Sequence, residues 1–482
     1  MERAGAAAAE VALGLATARG GVVVVLAGPG NNGGDGFVVA RILKEAFHDV
    51  AVVFRDDAER LPADAAAALA RFRSAGGVTL NDPPAAPVAL IVDALFGIGQ
   101  SRALTRTHAD LVDWANRQTA PKLAIDIPTG LDANSGIARA PAIHADATAT
   151  FIALKPGLLT AEGPDFCGSV SVHALGLDVE GAAVATLRAL DWPSLAATLP
   201  EVLQRRVRNA NKGTFGTLAI VGGAEGMTGA TLIAGRAALR AGAGKVKVGL
   251  IASPATFVDA ATPELMLNAV DPTLASPVNA LVVGCGLGRS DEALAVLRRA
   301  LDQPVPLVLD ADALNLMAED AGLRAAVRRR DAVTVATPHP AEAARLLASS
   351  VAAVQRDRLD SAAAIARELR AHVVLKGVGS VLAHPDGALD INTTGNATLS
   401  VAGSGDALAG IVGAFLAQAI DARTALRYAV CLHGAAADAL LARGVGPIGV
   451  STGEVVDAAR DLLNAAARRL RGTPAAAPGG PR

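Results

Sequence analysis

Short aliphatic runs alternate with helix-length amphipathic stretches twice along this chain, and that alternation admits few folds. In the first half, strand-sized runs occupy residues 22–26, 50–54, 89–92, 122–125 and 147–152, with helical patterning at 37–46, 63–74 and 109–116. The runs are β-branched and nearly continuous, which suits strands buried on both faces. Strands separated by helices form a parallel sheet wound on both sides. An irregular middle at 190–212 contains Pro193, Pro200 and the basic run Arg205-Arg206-Val207-Arg208. The pattern then resumes, with strands at 216–221, 246–250, 280–283, 305–309, 332–336 and 373–376, and helices at 405–418, 422–441 and 452–470. The expected fold class is α/β with two domains, a doubly wound parallel sheet over 1–190 and an α/β sandwich over 191–471. The Pro/Gly/Ala-rich stretch 472–482 is expected to be a disordered tail.

Composition narrows the class. A chain of 482 residues exceeds one ordinary core, so more than one domain is required. The net charge of −2 implies no general attraction to nucleic acid or to an anionic membrane. Cys167, Cys285 and Cys431 lie far apart with no CxxC pair, which argues against a zinc ribbon or disulfide scaffold and leads to a cytoplasmic expectation. The start carries no apolar core of signal-peptide length, and the run at 22–27 is too short to span a bilayer.

Residues 26–37 read Leu-Ala-Gly-Pro-Gly-Asn-Asn-Gly-Gly-Asp-Gly-Phe, after the first strand and before a helix. Gly28, Gly30 and Gly33 satisfy GxGxxG, and Asp56 and Asp57 follow the second strand where a ribose-binding acid would sit. A nicotinamide dehydrogenase is therefore one alternative. Against it, Asp35 would face pyrophosphate with like charge, and Asn31 and Asn32 would crowd its approach. The loop suits sugar hydroxyls or a cation. Asp93 ends the third strand in Val-Asp-Ala-Leu-Phe-Gly-Ile-Gly, and Asp126 ends the fourth in Ile-Asp-Ile-Pro-Thr-Gly. With Asn32 and Thr129, Asp93 could offer hard oxygens to a weakly charged ion.

These three strings together resemble the NAD(P)H-hydrate epimerase family over roughly residues 1–175. The resemblance implies a Rossmann-like sheet and interconversion of R and S hydrated NADH and NADPH (NADHX, NADPHX). It implies substrate contacts at Asn31, Asn32, Gly33, Gly34 and Asp35, at Gly97, Ile98, Gly99, Gln100, Ser101, Arg102 and Ala103, and at Asp126. It implies K⁺ at Asn32, Asp93 and Thr129. Asp126 is the candidate acid by position. The family has a further helix before the Met-Glu-x-Ala-Gly stretch, which stands first here, so an N-terminal helix is expected to be missing.

In the second half, residues 399–410 place Asp406 in a Gly-rich turn opening an apolar helix. An acid beside bare amides and a helix N-terminus makes sense if Asp406 deprotonates a hydroxyl while the amides of Ser404, Gly405 and Asp406 hold a phosphoryl group. Four further loops agree: Asn211-Lys212-Gly213-Thr214-Phe215-Gly216, Met227-Thr228-Gly229-Ala230, Gly284-Cys285-Gly286-Leu287-Gly288 and Thr337-Pro338-His339-Pro340. Lys376-Gly377-Val378-Gly379-Ser380 forms a turn between two strand-like runs, with a lysine at its mouth.

Together these loops resemble the ribokinase-like fold, and as a set the ADP-dependent NAD(P)H-hydrate dehydratase family, over about 195–470. The resemblance implies hydrate contacts at Ala230, Gly286, Gly288, His339 and Asp406, with Asp406 the catalytic base. It implies nucleotide contacts at Lys376, Gly377, Val378, Gly379, Ser380 and Gly405, with ADP as co-substrate and Mg²⁺ as cofactor. The implied whole is a bifunctional metabolite-repair enzyme taking NADHX, NADPHX and ADP, with no nucleic acid or membrane partner, and a homo-oligomer. The competing expectation is a ribokinase-like small-molecule kinase with a non-catalytic nucleotide-binding module ahead of it.

Overall fold

The computed structural model describes residues 1–16, 20–100, 102–178, 187–253 and 258–472. Ser101 and the tail beyond residue 472 lie outside the described residues. The chain divides into two compact units, Met1–Val184 and Ala185–Arg482.

The first unit contains β1 (Val22–Ala27), β2 (Val50–Phe54), β3 (Thr79–Leu80), β4 (Val88–Ala94), β5 (Lys122–Ile125), β6 (Ala147–Phe151) and β7 (Ser169–His173). Their order is β3-β2-β1-β4-β5-β6-β7, every pair parallel. Alternate residues of β1 serve opposite faces: Val23, Val25 and Ala27 enter one core, Val22, Val24 and Leu26 the other. That double burial is why the strand reads as Val-Val-Val-Val-Leu-Ala. Chain order reverses at the β1/β4 neighbours, so the segments after both strands flank one crevice at their carboxyl ends. The first residues form the helix Glu2–Ala16, whose small face is buried against Asn31–Glu45. Periodicity had not marked that helix, because alanine carries little contrast between faces.

The second unit contains β8 (Leu187–Leu190), β9 (Thr217–Gly222), β10 (Lys245–Leu250), β11 (Met266–Ala269), β12 (Ala280–Val283), β13 (Leu307–Leu309), β14 (Thr334–Ala336), β15 (His372–Leu375), β16 (Val381–Ala383) and β17 (Leu389–Asn392). Their order is β11-β10-β9-β12-β13-β14-β15-β16-β17-β8. The strands from β11 to β15 are parallel, and β15-β16-β17 form an antiparallel meander. Strand β8 pairs in parallel with β17, so the expected boundary after residue 190 falls beyond a strand that belongs to this sheet. The reversal point is β9/β12, and the apolar helix Ser404–Ala417 packs over it beside Thr228–Arg240. The helix Ala422–Ala442 has the length and hydropathy of a membrane span, yet its apolar window is 72% buried inside the protein.

Candidate active sites

In the first unit, the helix after β1 begins at Asn31, not at residue 37. The expected Asn-Asn-Gly-Gly-Asp loop is therefore a helix N-terminus. Packing explains the glycines. A Cβ on Gly28 would overlap the Leu95 carbonyl, and one on Gly33 would overlap the Gly28 carbonyl. This strand-to-helix turn is closed by protein backbone at the positions where the dehydrogenase alternative needs room for pyrophosphate. Gly34 faces the Met1 side chain and Ala65.

Asn32, Gly97 and Asp126 converge: the Cβ direction of Gly97 points at Asp126 Oδ2 (3.0 Å) and Asn32 Oδ1 (3.2 Å). Asp126 has the left-handed φ of +68°, a strained setting for a non-glycine residue. Its Oδ2 accepts from the Ile98 amide at 3.3 Å, and its Oδ1 meets the Lys155 ammonium at 2.6 Å. Lys155 also donates to Thr150 Oγ1 (2.8 Å) and to the Phe151 carbonyl (2.9 Å). Sequence reasoning missed Lys155, although its Lys-Pro-Gly lies in the loop that follows β6, as Asp126 lies just after β5. Burial raises the Asp35 carboxyl to about 7, helped by the nearby Asp126 charge and opposed by the chain N-terminus. Asp35 Oδ1 and Asn32 Nδ2 are buried with no hydrogen-bond partner among the described residues. Gln100 accepts from the Gly130 amide at 2.9 Å, whereas Asn31, Ile98, Gly99, Arg102 and Ala103 are exposed.

Asp93 is fully buried and accepts from Thr129 N (2.7 Å), Thr129 Oγ1 (2.7 Å) and Leu95 N (3.2 Å). Burial pushes its pKa up to about 6, and those three hydrogen bonds pull it back. Thr129 Oγ1 also lies 3.3 Å from the Phe96 carbonyl. Oxygens of a buried carboxylate, a hydroxyl and a carbonyl, with no ammonium or guanidinium bonded to Asp93 among the described residues, are a donor set that fits a monovalent cation.

In the second unit, Gly403 adopts φ +85° and caps the helix Ser404–Ala417. The Ser404 amide turns back to the Val401 carbonyl at 3.3 Å, so the expected three-amide cradle reduces to two. Among the described residues, the Gly405 and Asp406 amides keep no acceptor, as the first turn of a helix leaves them. Burial and the Asp310 charge raise Asp406 to about 6, and Cys285 and Lys376 oppose the rise. Ligating atoms of Cys285, Asp310 and Asp406 all lie within 4.8 Å of one another.

Lys376 is not the solvated lysine of a plain hairpin. Its ammonium bonds Asp310 Oδ1 at 2.7 Å and stands 4.0 Å from Glu342 Oε2. Burial alone would depress its pKa; Asp310 and Glu342 more than offset that and hold it above the usual lysine value. The Cβ direction of Gly405 points at the Lys376 ammonium, 3.2 Å away, so the lysine and the free amides face one space. Thr337 Oγ1 donates to Asp310 Oδ1 at 2.7 Å. Sequence reasoning missed Asp310, although Asp-Ala-Asp directly follows β13. Gly286 and Ala230 adjoin, and the Gly288 amide donates to Asp312 Oδ2 at 2.9 Å.

His339, expected as a ligand contact or proton shuttle, has a side chain 47% exposed. It caps the helix Pro340–Leu346, its Nδ1 accepting from the Ala341 amide (3.0 Å) and the Glu342 amide (3.3 Å). That fixes the proton on Nε2, which lies 3.2 Å from Glu342 Oε1. Both ring nitrogens are thus committed. Burial and the charges of Lys376 and Arg345 lower its pKa.

Known proteins resemble both halves of the chain. Residues 218–457 match the NAD(P)H-hydrate dehydratase family model, and residues 1–157 match that of the YjeF-related protein N-terminus. The bifunctional NAD(P)H-hydrate repair enzyme of Escherichia coli (strain K12) is 41% identical, over 87% of this chain and 81% of that protein. The ADP-dependent (S)-NAD(P)H-hydrate dehydratase of Neisseria meningitidis serogroup B is 44% identical, over 56% of this chain and 92% of that one. A ribokinase-like superfamily protein of Enterococcus faecalis V583 superposes with a TM-score of 0.51 at 23% identity, over 59% of this chain and 98% of that one, and shows the fold. With two matched domains and close relatives across most of its length, the chain belongs to the family of bifunctional NAD(P)H-hydrate repair enzymes.

Proposed function

We propose that the second unit dehydrates the S form of hydrated NAD(P)H using ADP, and that the first unit interconverts the R and S forms. The observation that carries the reading is Asp406, raised to about 6, at a helix start with two free amides and the Lys376 ammonium alongside. Asp406 takes the proton of the hydrate hydroxyl as its oxygen bonds to the terminal phosphorus of ADP. The phosphorus–oxygen bond to AMP breaks, and the Gly405 and Asp406 amides with Lys376 hold the charge that develops. Phosphate then departs from the ring carbon, pushed by the ring nitrogen lone pair. A proton lost from the adjacent carbon restores the dihydronicotinamide. The turn 376–380 holds the nucleotide. The carboxylate oxygens of Asp310 and Asp406 suit a hard cation such as Mg²⁺, whereas the Cys285 thiol, kept protonated by burial, does not. Mg²⁺, when bound, neutralises phosphate charge.

In the first unit, Asp126 and Lys155 would move the proton at the departing and returning hydroxyl, with Asn32 and Asp35 orienting the carboxamide and ribose. K⁺ would be held by Asn32, Asp93 and Thr129, where it supplies a positive charge that the buried Asp93 lacks.

The test is to supply racemic hydrates with ADP and follow the dihydronicotinamide absorbance. Complete recovery supports both activities. A plateau near half that creeps upward removes the epimerase, and no recovery removes the dehydratase.

A further inference from the structure

The turn that carries Lys376 rests on a buried guanidinium. Arg358 opens the helix Arg358–Leu369 and is 2% exposed. Its Nη2 donates to the carbonyls of Leu375 (3.2 Å) and Lys376 (3.3 Å), and its Nη1 to Gln355 Oε1 (2.6 Å). Burial pushes its pKa down to about 10, so the fold accepts a substantial cost to keep this charge inside. The turn is shaped to match. Gly377 has φ +139°, and a Cβ there would stand 2.9 Å from both Nη atoms. Other ties hold the turn as well: the Lys376 amide donates to the Pro338 carbonyl at 2.9 Å, the Lys376 ammonium to Asp310 at 2.7 Å, and the Asn392 amide to the Ser380 carbonyl at 2.9 Å. Arg358 thus aims two consecutive carbonyls inward at the strand end, and through them sets the course of residues 376–380.

We infer that Arg358 is a positioning residue for the nucleotide co-substrate: by gripping the Leu375 and Lys376 carbonyls it holds the Lys376–Ser380 turn in the shape that receives the diphosphate. It acts on nucleotide affinity and leaves proton transfer at Asp406 alone. This rests on the nucleotide reading of that turn.

The test uses the full chain, with ADP affinity measured by calorimetry and with steady-state kinetics. Arg358→Met should raise both Kd and KM for ADP about tenfold, as the loss of charge-assisted hydrogen bonds does. The kcat at saturating ADP should stay within about threefold of the parent, the pattern of lost uniform binding. Arg358→Lys keeps a donor and should recover part of the affinity. Gly377→Ala pushes on the guanidinium from the other side and should raise KM for ADP as well. Unchanged ADP affinity in folded Arg358→Met, or a fall in kcat at constant KM, overturns the inference. Should Arg358→Met lose its circular dichroism signature, Arg358→Lys and Gly377→Ala decide, and an unaltered KM in both overturns it. Failure of the unsubstituted protein to bind ADP at all refutes the nucleotide reading and this inference with it, an outcome distinct from binding that Arg358 does not affect.

Discussion

As the proposed base, Asp406 has to be unprotonated to act, yet it sits where burial and Asp310 favour its neutral form. A base with a pKa of about 6 is half active near pH 6, so the dehydratase rate should climb through that value and level off above it. A flat profile from pH 5 to about 8 would remove the general-base role. Asp406→Asn keeps the shape and removes the lone pair; turnover should fall about a hundredfold or more while ADP still binds. At Glu342 the pKa shift becomes a stability statement. Burial raises this carboxyl from 4.5 to about 7, so the fold favours its protonated form. The stability it contributes is complete below 4.5 and is lost as pH rises through 7. Glu342→Gln keeps an acceptor for the His339 amide and does not titrate. In urea melts the Gln variant should therefore gain on the parent by about 1–3 kcal/mol between the two ends of that range. A constant gap would show that Glu342 is not perturbed.

At the scale of elements, the helix Asn31–Glu45 sets propensity against packing. Replacing a helical glycine by alanine ordinarily stabilises by about 0.5–1 kcal/mol. At Gly33 the new methyl would overlap the Gly28 carbonyl, which is backbone and cannot swing aside. Gly33→Ala should therefore destabilise by about 1–3 kcal/mol, with steric strain the larger effect. At Gly34 the nearest atoms belong to the end of the Met1 side chain, so Gly34→Ala should cost less. Denaturant melts showing Gly33→Ala equal to or better than the parent would contradict this account. The same helix shows why its start was misread. Two asparagines, two glycines and an aspartate have loop composition, and only the close approach of the Gly28 backbone to Gly33, and of Met1 and Ala65 to Gly34, makes a helical turn of glycines the close-packed solution.

At the scale of the whole molecule, each unit has its own sheet and its own buried clusters. Residues 185–482 produced alone should convert about half of a racemic hydrate quickly, the share of the S form, and adding residues 1–184 should carry the reaction to completion. A separated second unit that consumes the whole racemate at once would show that epimerisation does not belong to the first. The sequence by itself determined the α/β class, the two-sheet organisation, the strand-end loops of Asp126 and Lys376, and the glycine-rich helix start that carries Asp406. Those are local properties: runs that must be buried, and glycines and acids where they stop. Tertiary structure alone decided which strand ends meet. Asp310 reaches Lys376 across 66 residues of chain, Asp126 finds Lys155 on the neighbouring strand's loop, and Arg358 slides under Gly377. Each depends on strand order and register, which pattern along one chain does not encode, because a contact between distant residues is selected by the packing of everything between them.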